Sequence, residues 1–479
     1  MLKEAFEIHG LPRRLYVDNG SAFSSELLNL ACARSGISLC HSKPYDSPSR
    51  GKIERFFRTV RDRFLSGVGE KVTLDELNEA FCLWLKEDYH HRQHRGIELI
   101  VKRQNQFSYK DLQFHMMDSR TYRTFCEFGF ADMVPSKTVL HRDISKIRAE
   151  TLEAINRILL QHAACGGQEK GRKVRMDCTV TESNIHAPTD SSLLFDSVRV
   201  LCRITQKARE SFGIEVTDHT RRAKRRAMGI LNAKSEKKRL PLYKDLLRIT
   251  AKVVHDFEGV LAKLTVLSSV SVLTVSGLCV EFNHYIPLAK QVIEQAERRV
   301  LKGEKLSPDE KLVSIFKPHT DIIRKDNQDT LYGHKLAFTC GASGLITDLI
   351  VWKGNPGDAA MATELVERQV EIYGRVPGQV AYDGGFASKA NLAELKSMGV
   401  KDVMFSKRRG MEIGDMAKST WVYKRLRDFR AGIEGMISFL KRCFGLRRCN
   451  WKGFESFRAY TWSSVLSANR LLLSRRLLA

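Results

Sequence analysis

Hydrophobic and polar positions change period several times along the chain, and each change marks a boundary. RLYVD reads as a short apolar strand ending at Asp18, and Ser24 to Ser35 carries apolar residues at helical spacing. ISLCHS reads as a second strand and Lys52 to Leu65 as a basic amphipathic helix, so residues 1–101 alternate strand and helix. From residue 102 helical spacing takes over: QFSYKDLQFHMMDSRTYRTFCEFGF and SKTVLHRDISKIRAETLEAINRILLQHA predict two or three short helices, the second stretch capped by Ser136 or Thr138. GRKVRMDCTVTESNI then alternates with period two, which places Asp177 within a strand. PTDSS opens a helix with Asp190 as its expected N-cap, and Ser191 to about Lys311 is nearly all helical.

After SIFKPHTDIIRKDN the period returns to two, and YGHKLAFTC with GASGLITDLIVWKG predicts a hairpin. The glycines and proline between Gly354 and Asp358 break it before a helix over ATELVERQVEIYG. The apolar strand QVAYD ends at Asp383, where Gly384 and Gly385 permit a sharp turn and a close approach by phosphate or metal. FRAGIEGMISFLKRCFGLRRC predicts the last helix of the pattern.

Charge narrows the partners. The 479 residues hold 79 Lys+Arg against 55 Asp+Glu, a formal charge of +24, and a polyanion is the simplest partner for such an excess. Two basic runs stand out, Arg221, Arg222, Lys224, Arg225 and Arg226, then Lys234, Lys237, Lys238 and Arg239; each reads either as a solvated face or as a phosphate track. The eleven cysteines are scattered without a CxxC pair, which argues against a disulfide framework or zinc ribbon and for a reducing cytoplasm. His90, His91 and His94 are interleaved with Arg92 and Arg95, a poor setting for a cation. The start has no secretory signal, and Leu264 to Val280 is at the short limit for a membrane span and carries four serines, so a buried segment of a soluble protein is expected.

Two sets of acids carry candidate chemistry. Asp18 is followed by Glu54 with thirty-five residues between them; the other set is Asp177, Asp383 and Glu434. Arg430, Glu434 and Lys441 share one helical face. Three carboxylates suit two magnesium ions about 4 Å apart, with manganese as a substitute, and Arg430 and Lys441 are then placed to hold phosphates.

These residues carry two resemblances. VDNG, PYDSPSRGKIERFFRTVRDRF and WLKEDYHHRQHRGI resemble the second half of an integrase catalytic core, in which the positions of Asp18 and Glu54 bind metal together with an earlier aspartate on a strand not found here. Residues 1–101 are therefore expected to be a truncated, catalytically incomplete core and Asp18 and Glu54 a vestigial site. DCTVTESNIHAPTDSSLL, YGHK, GNPGDA, YDGGFAS and FRAGIEGMISFLKRCFGLRRC are similar to motifs of the bacterial insertion-sequence DDE transposases. That resemblance implies Asp177, Asp383 and Glu434 as catalytic metal ligands, with Arg430 and Lys441 in the R-x3-E-x6-K motif. Arg427 stands where the family commonly has tyrosine, and Lys317 where it often has glutamate.

The fold expected is α/β (α+β): a helical domain over 102–172 that suits either DNA binding or packing with a solvated basic face, then an RNase H-like domain over 173–479 with a helical insertion at about 191–311. The function implied is metal-dependent cleavage and transfer of DNA strands at the terminal inverted repeats, by a homo-oligomer on double-stranded DNA in the bacterial cytoplasm at the nucleoid. The alternative is an inactive chimeric remnant that binds DNA without cutting it.

Overall fold

The computed structural model describes residues 11–12, 14–17, 25–41, 60–65, 73–84, 97–129, 132–214, 216–267, 272–324 and 329–478. Contacts between Cα atoms divide the chain into two units, Met1–His94 and Arg95–Ala479.

In the first unit β1 (Arg14–Val17) pairs in parallel with β2 (Ser38–His41), joined through helix α1 (Glu26–Arg34). Ser25 caps α1 by accepting from the Leu28 amide. Val60–Phe64 forms a π-helical turn, and Phe64 packs 5.1 Å from Phe81 of α2 (Leu74–Trp84). Most of the helix expected over Lys52 to Leu65 lies outside the described residues, as do Asp18 and Glu54.

The second unit opens with five helices: α3 (Ile97–Gln104), α4 (Tyr109–Asp118), α5 (Arg120–Phe125), α6 (Lys137–Ile144) and α7 (Ala149–Cys165). Ser136, not Thr138, caps α6. Helix α3 runs across residue 101, and Leu99, Leu112, Met116, Leu140 and Leu152 share one core with the sheet residues Leu336 and Phe338. The buried stripes of these helices are thus satisfied against the sheet.

The sheet is built on β3 (Lys173–Ser183), the strand that period-two alternation predicted. It pairs antiparallel with β5 (Leu331–Gly341) and parallel with β7 (Gln379–Tyr382) and with the short β9 (Arg448–Cys449). On the outer side of β5 lie β4 (Asp321–Ile323) and β6 (Ile346–Val351), both antiparallel, and β8 (Asp402–Phe405) continues in parallel from β7. The hairpin β5–β6 is the expected one.

Close strand approach depends on Gly333, which pairs with Glu182 on β3 and Asp321 on β4. A Cβ there would sit 2.0 Å from the Thr181 carbonyl oxygen and 2.8 Å from the Glu182 Cα, backbone of β3 that cannot yield cheaply. Gly333→Ala is expected to lower stability by about 2–3 kcal/mol, read from the urea midpoint; an unchanged midpoint would contradict this strand register.

Between β3 and β4 the chain forms a bundle of α8 (Asp190–Phe212), α9 (Thr220–Asn232), α10 (Glu236–Leu267) and α11 (Val272–Ala296), closed by a π-helical turn over Glu297–Leu301. Leu194, Val198, Leu201, Ile204 and Ala208 form the buried stripe of α8 at helical spacing, and Phe257 and Phe282 meet it from α10 and α11. Thr189 caps α8 through a reciprocal pair of bonds with Ser192. Asp190, expected as the cap, is instead the first helical residue and accepts from Arg299 at 2.8 Å and Gln295 at 3.2 Å. The apolar stretch from Leu264 to Val280 is divided between α10 and α11, and no helix among the described residues is long and apolar enough to cross a membrane.

The remaining helices are α12 (Ala362–Tyr373), α13 (Lys389–Ser397), the short α14 (Ile413–Met416), α15 (Thr420–Cys443) and α16 (Phe454–Leu478). Helix α15 crosses β3, β7 and β8, while α16 packs on α3, α7 and β6.

Candidate active site

The register of the sheet brings the first two acids together. Met176 on β3 pairs with Tyr382 at the end of β7, so Asp177 and Asp383 occupy successive register positions on neighbouring parallel strands, which run about 4.8 Å apart. Asp177 sits within its strand, its Oδ1 accepting from the Cys178 amide at 2.7 Å. Asp383 lies just past its strand, at the start of the Gly384–Phe386 turn, and is more exposed.

Helix α15 supplies the third. Ser419 caps its start, and Leu426, Ile433 and Leu440, seven apart, bury one face. Arg175, two residues before Asp177 on β3, donates to the Phe429 carbonyl at 2.8 Å. Gly432 leaves room for that guanidinium, since a Cβ there would lie 2.0 Å from it, and the helix thus passes close over β3. Arg430 and Glu434 follow, one turn apart.

The three carboxylates converge on the Arg430 guanidinium. Its Nη2 lies 3.1 Å from Asp177 Oδ2 and 3.2 Å from Asp383 Oδ1, and its Nη1 lies 2.9 Å from Glu434 Oε1. Its Nε is buried without a hydrogen-bond partner. The pair of Arg430 and Glu434 is the i,i+4 contact read from the sequence, but Arg430 holds acids here where phosphates were expected. The physical reason is charge: three anions from separate elements need a cation between them, and this is the nearest one.

The donor set fits hard divalent cations. All three ligand groups offer carboxylate oxygens, and with one guanidinium their formal charge is still negative by two. No three His, Cys, Asp or Glu side chains among the described residues already close on one point, because Arg430 stands between these three.

The other residues singled out from sequence are dispersed. Lys441 is half-buried on α15, two turns beyond Glu434, and Arg427 on the same helix is exposed. In the basic run on α9, Arg222 and Arg226 are ion-paired with Asp245 at 2.7 and 2.5 Å, whereas Arg221 and Arg225 are exposed. Lys317 is buried and donates to the Cys449 carbonyl at 2.9 Å, tying the segment before β4 to β9, so it is not placed at a substrate face. His90, His91 and His94 lie outside the described residues.

Two buried polar clusters were not read from sequence. Lys335 of the YGHK segment meets Asp358 of GNPGDA as an ion pair at 2.5 Å, with its directional hydrogen bond going to the Pro356 carbonyl at 2.6 Å. A Cβ on Gly385 would lie 2.5 Å from Asp358 Oδ2, so that glycine lets the pair abut the turn after Asp383. Asp358 read only as part of a break; its partner is remote in sequence, and no local signal names it.

The second cluster is a chain from Asp321 to His334 to His319, each link 2.7 Å. An ionised Asp321 only accepts, so His334 Nδ1 donates, its Nε2 accepts from His319, and the buried His319 Nε2 is left bare. Burial first, and His334 and Lys317 next, push His319 down to about 4. The native state resists a proton that the unfolded ring takes at its ordinary value, so stability falls as pH drops below about 6.5 and levels near 4. With screening at a half-buried ring, the loss is about 1–2 kcal/mol. It is read as the difference in urea midpoint between wild type and His319→Phe from pH 7 to 4.5; a difference that does not change with pH would refute it.

Comparison with known proteins follows this geometry. The family described as Transposase DDE domain matches residues 305–470, a span that includes Asp383, Arg430, Glu434 and Lys441 but not Asp177. The family described as TnsB C-terminal domain matches residues 1–69. The transposase for transposon Tn552 of Staphylococcus aureus is 31% identical over 99 residues, 19% of this chain and 21% of that protein. The chain thus spans about a fifth of the length of that curated relative. No solved structure matches. Over residues 305–470, about a third of its length, the chain is similar to the DDE domain of the transposases.

Proposed function

We propose that the second unit cuts and joins DNA strands at the ends of an insertion sequence, with Asp177, Asp383 and Glu434 as the ligands of divalent cations, magnesium in the first place. The observation that carries this reading is the meeting of three carboxylates, from two strands and a helix, on one cationic group. Bound there, such cations supply activation of a water or 3′ hydroxyl and neutralise charge on the leaving oxygen. Asp177 and Asp383 fix their positions through the strand register, and Glu434 through its place on α15. Arg430, released from the acids, and Lys441 face the phosphates beside the cut.

The strand order β6–β5–β3–β7–β8, with only the first link and the second antiparallel, supports an RNase H-like sheet. In this reading the α8–α11 bundle is the insertion, residues 102–172 are a helical domain, and residues 1–101 resemble an integrase core and take no part in the chemistry. The substrates are the inverted repeats at the element's ends and a target duplex, brought together by more than one copy of the chain. Arg221 and Arg225, with Arg222 and Arg226 behind them, are placed to follow phosphates.

The test is cleavage of a supercoiled plasmid carrying the element's flanking ends by the full-length protein. Cutting with magnesium that EDTA abolishes supports the reading. Salt-sensitive DNA binding with no cut in magnesium or manganese would replace it with the inactive chimera.

A further inference from the structure

Away from the three acids, an open cavity of about 690 Å³ lies where α3, α4 and α6 meet the β9 segment and α16. Its size is that of a small-ligand site. Its walls combine rings and cations: Tyr109, Trp451 and Tyr460 with Lys102, Arg103 and Lys452. No residue lining it carries a carboxylate. That combination is unusual for a packing defect: among the described residues none of these cations forms a salt bridge, and of acids only Asp111, outside the lining, acts on Lys102.

Arg103 and Lys102 are held in place, and Lys452 is exposed at the rim. Arg103 is 7% exposed, donates to the Phe444 carbonyl at 2.5 Å and to Ser464, and stacks its guanidinium 3.9 Å over the Tyr460 ring. Its Nε has no partner. Lys102 donates to the Phe107 carbonyl at 2.7 Å with its ammonium 4.6 Å from the Tyr109 ring centre. Burial, then the Arg103 charge, pulls Lys102 down to about 8, the mark of a cation that an anionic ligand would stabilise. Trp451 stands edge-on to Tyr460 at 5.6 Å and is only half-buried, so part of its surface remains available.

We infer that this cavity receives one unpaired nucleotide of bound DNA, its base against Trp451 and Tyr109 and its phosphate between Lys102 and Lys452. The inference rests on the transposase reading and adds a second point of contact to it. Aromatic faces accept any base, and cations accept any phosphate, so recognition is of an unstacked nucleotide rather than of sequence. Helix α15 links the two places: it carries Glu434 and ends at Cys443, about 14 Å further on, close to four base-pair steps of duplex. Exposed Arg442 and Arg447 then lead from its end toward Lys452.

The test measures affinity of the full-length protein for a fully paired duplex and for the same duplex with a single-nucleotide bulge, with deoxyadenosine monophosphate as free competitor. The bulged duplex is expected to bind about tenfold tighter. Trp451→Ala and Lys102→Gln remove that preference without changing affinity for the paired duplex, while Trp451→Phe, which keeps a stacking face, retains it. Equal affinity for the two duplexes, or a preference that survives Trp451→Ala, would overturn the inference alone. Tight binding of the free nucleotide with no bulge preference would likewise overturn it, assigning the cavity to a soluble nucleotide. Failure of wild type to bind either duplex would overturn the transposase reading and this inference together.

Discussion

Asp383→Asn is expected to reduce magnesium-dependent plasmid cleavage by more than about a hundredfold, and Asp18→Asn to leave it unchanged. Replacing an outer-shell partner of a metal ligand already costs 10–100-fold, and Asp383 is proposed as a ligand itself. The substitution keeps size and hydrogen bonding but removes one of the three charges that meet at Arg430. Because Asp383 lies past its strand and is partly exposed, the fold does not lean on it, and an unchanged urea midpoint separates lost chemistry from lost structure. Glu434→Gln, on the exposed side of α15, should behave alike. Asp18 belongs to the other unit, and the proposal places the chemistry in the second. Cleavage that survives Asp383→Asn, or that disappears in Asp18→Asn, would remove Asp177, Asp383 and Glu434 as the working set.

Arg430→Gln should separate two effects that usually move together. In the free protein the guanidinium neutralises part of the charge of three carboxylates at 2.9 to 3.2 Å, competing with any cation for the same oxygens. Like and unlike charges at such distances interact by several kcal/mol at an effective dielectric near 20, so removal of this competitor should tighten manganese binding at least tenfold. Electron paramagnetic resonance of free manganese measures that without DNA. Strand cleavage should fall in the same variant, because the phosphate contact proposed for Arg430 is gone. Weaker manganese binding would mean that Arg430 supports the cation site rather than occupying it.

Sequence pattern made much of this site legible, for reasons that are local. Asp177 is visible because Val174, Met176, Cys178 and Val180 alternate around it; Asp383 because an apolar run stops at two glycines; Glu434 because Arg430 and Lys441 share its helical face. What periodicity cannot carry is the pairing of groups far apart in the chain. The partner of Lys335 is Asp358, that of Lys317 is the Cys449 carbonyl, and Arg430 adds Asp177 and Asp383 to its neighbour Glu434, and none of these distant pairings follows from spacing. Thr189 rather than Asp190 caps α8 because Asp190 is drawn to Arg299, more than a hundred residues later. The proposed cavity has the same character, since its walls come from both ends of the second unit.

The order of the three acids along the chain has a consequence for synthesis. Asp177 emerges from the ribosome well before Asp383, and Glu434 follows later still, on a helix whose packing surface includes strands on both sides of the long bundle. A nascent or cleaved chain lacking α15 holds two acids at most and no Arg430 to offset their charge. Domains fold largely as their segments appear, so the bundle can compact first while the three acids stay apart. On the proposed reading, the reactive centre thus assembles only after the last of its three acids has been made.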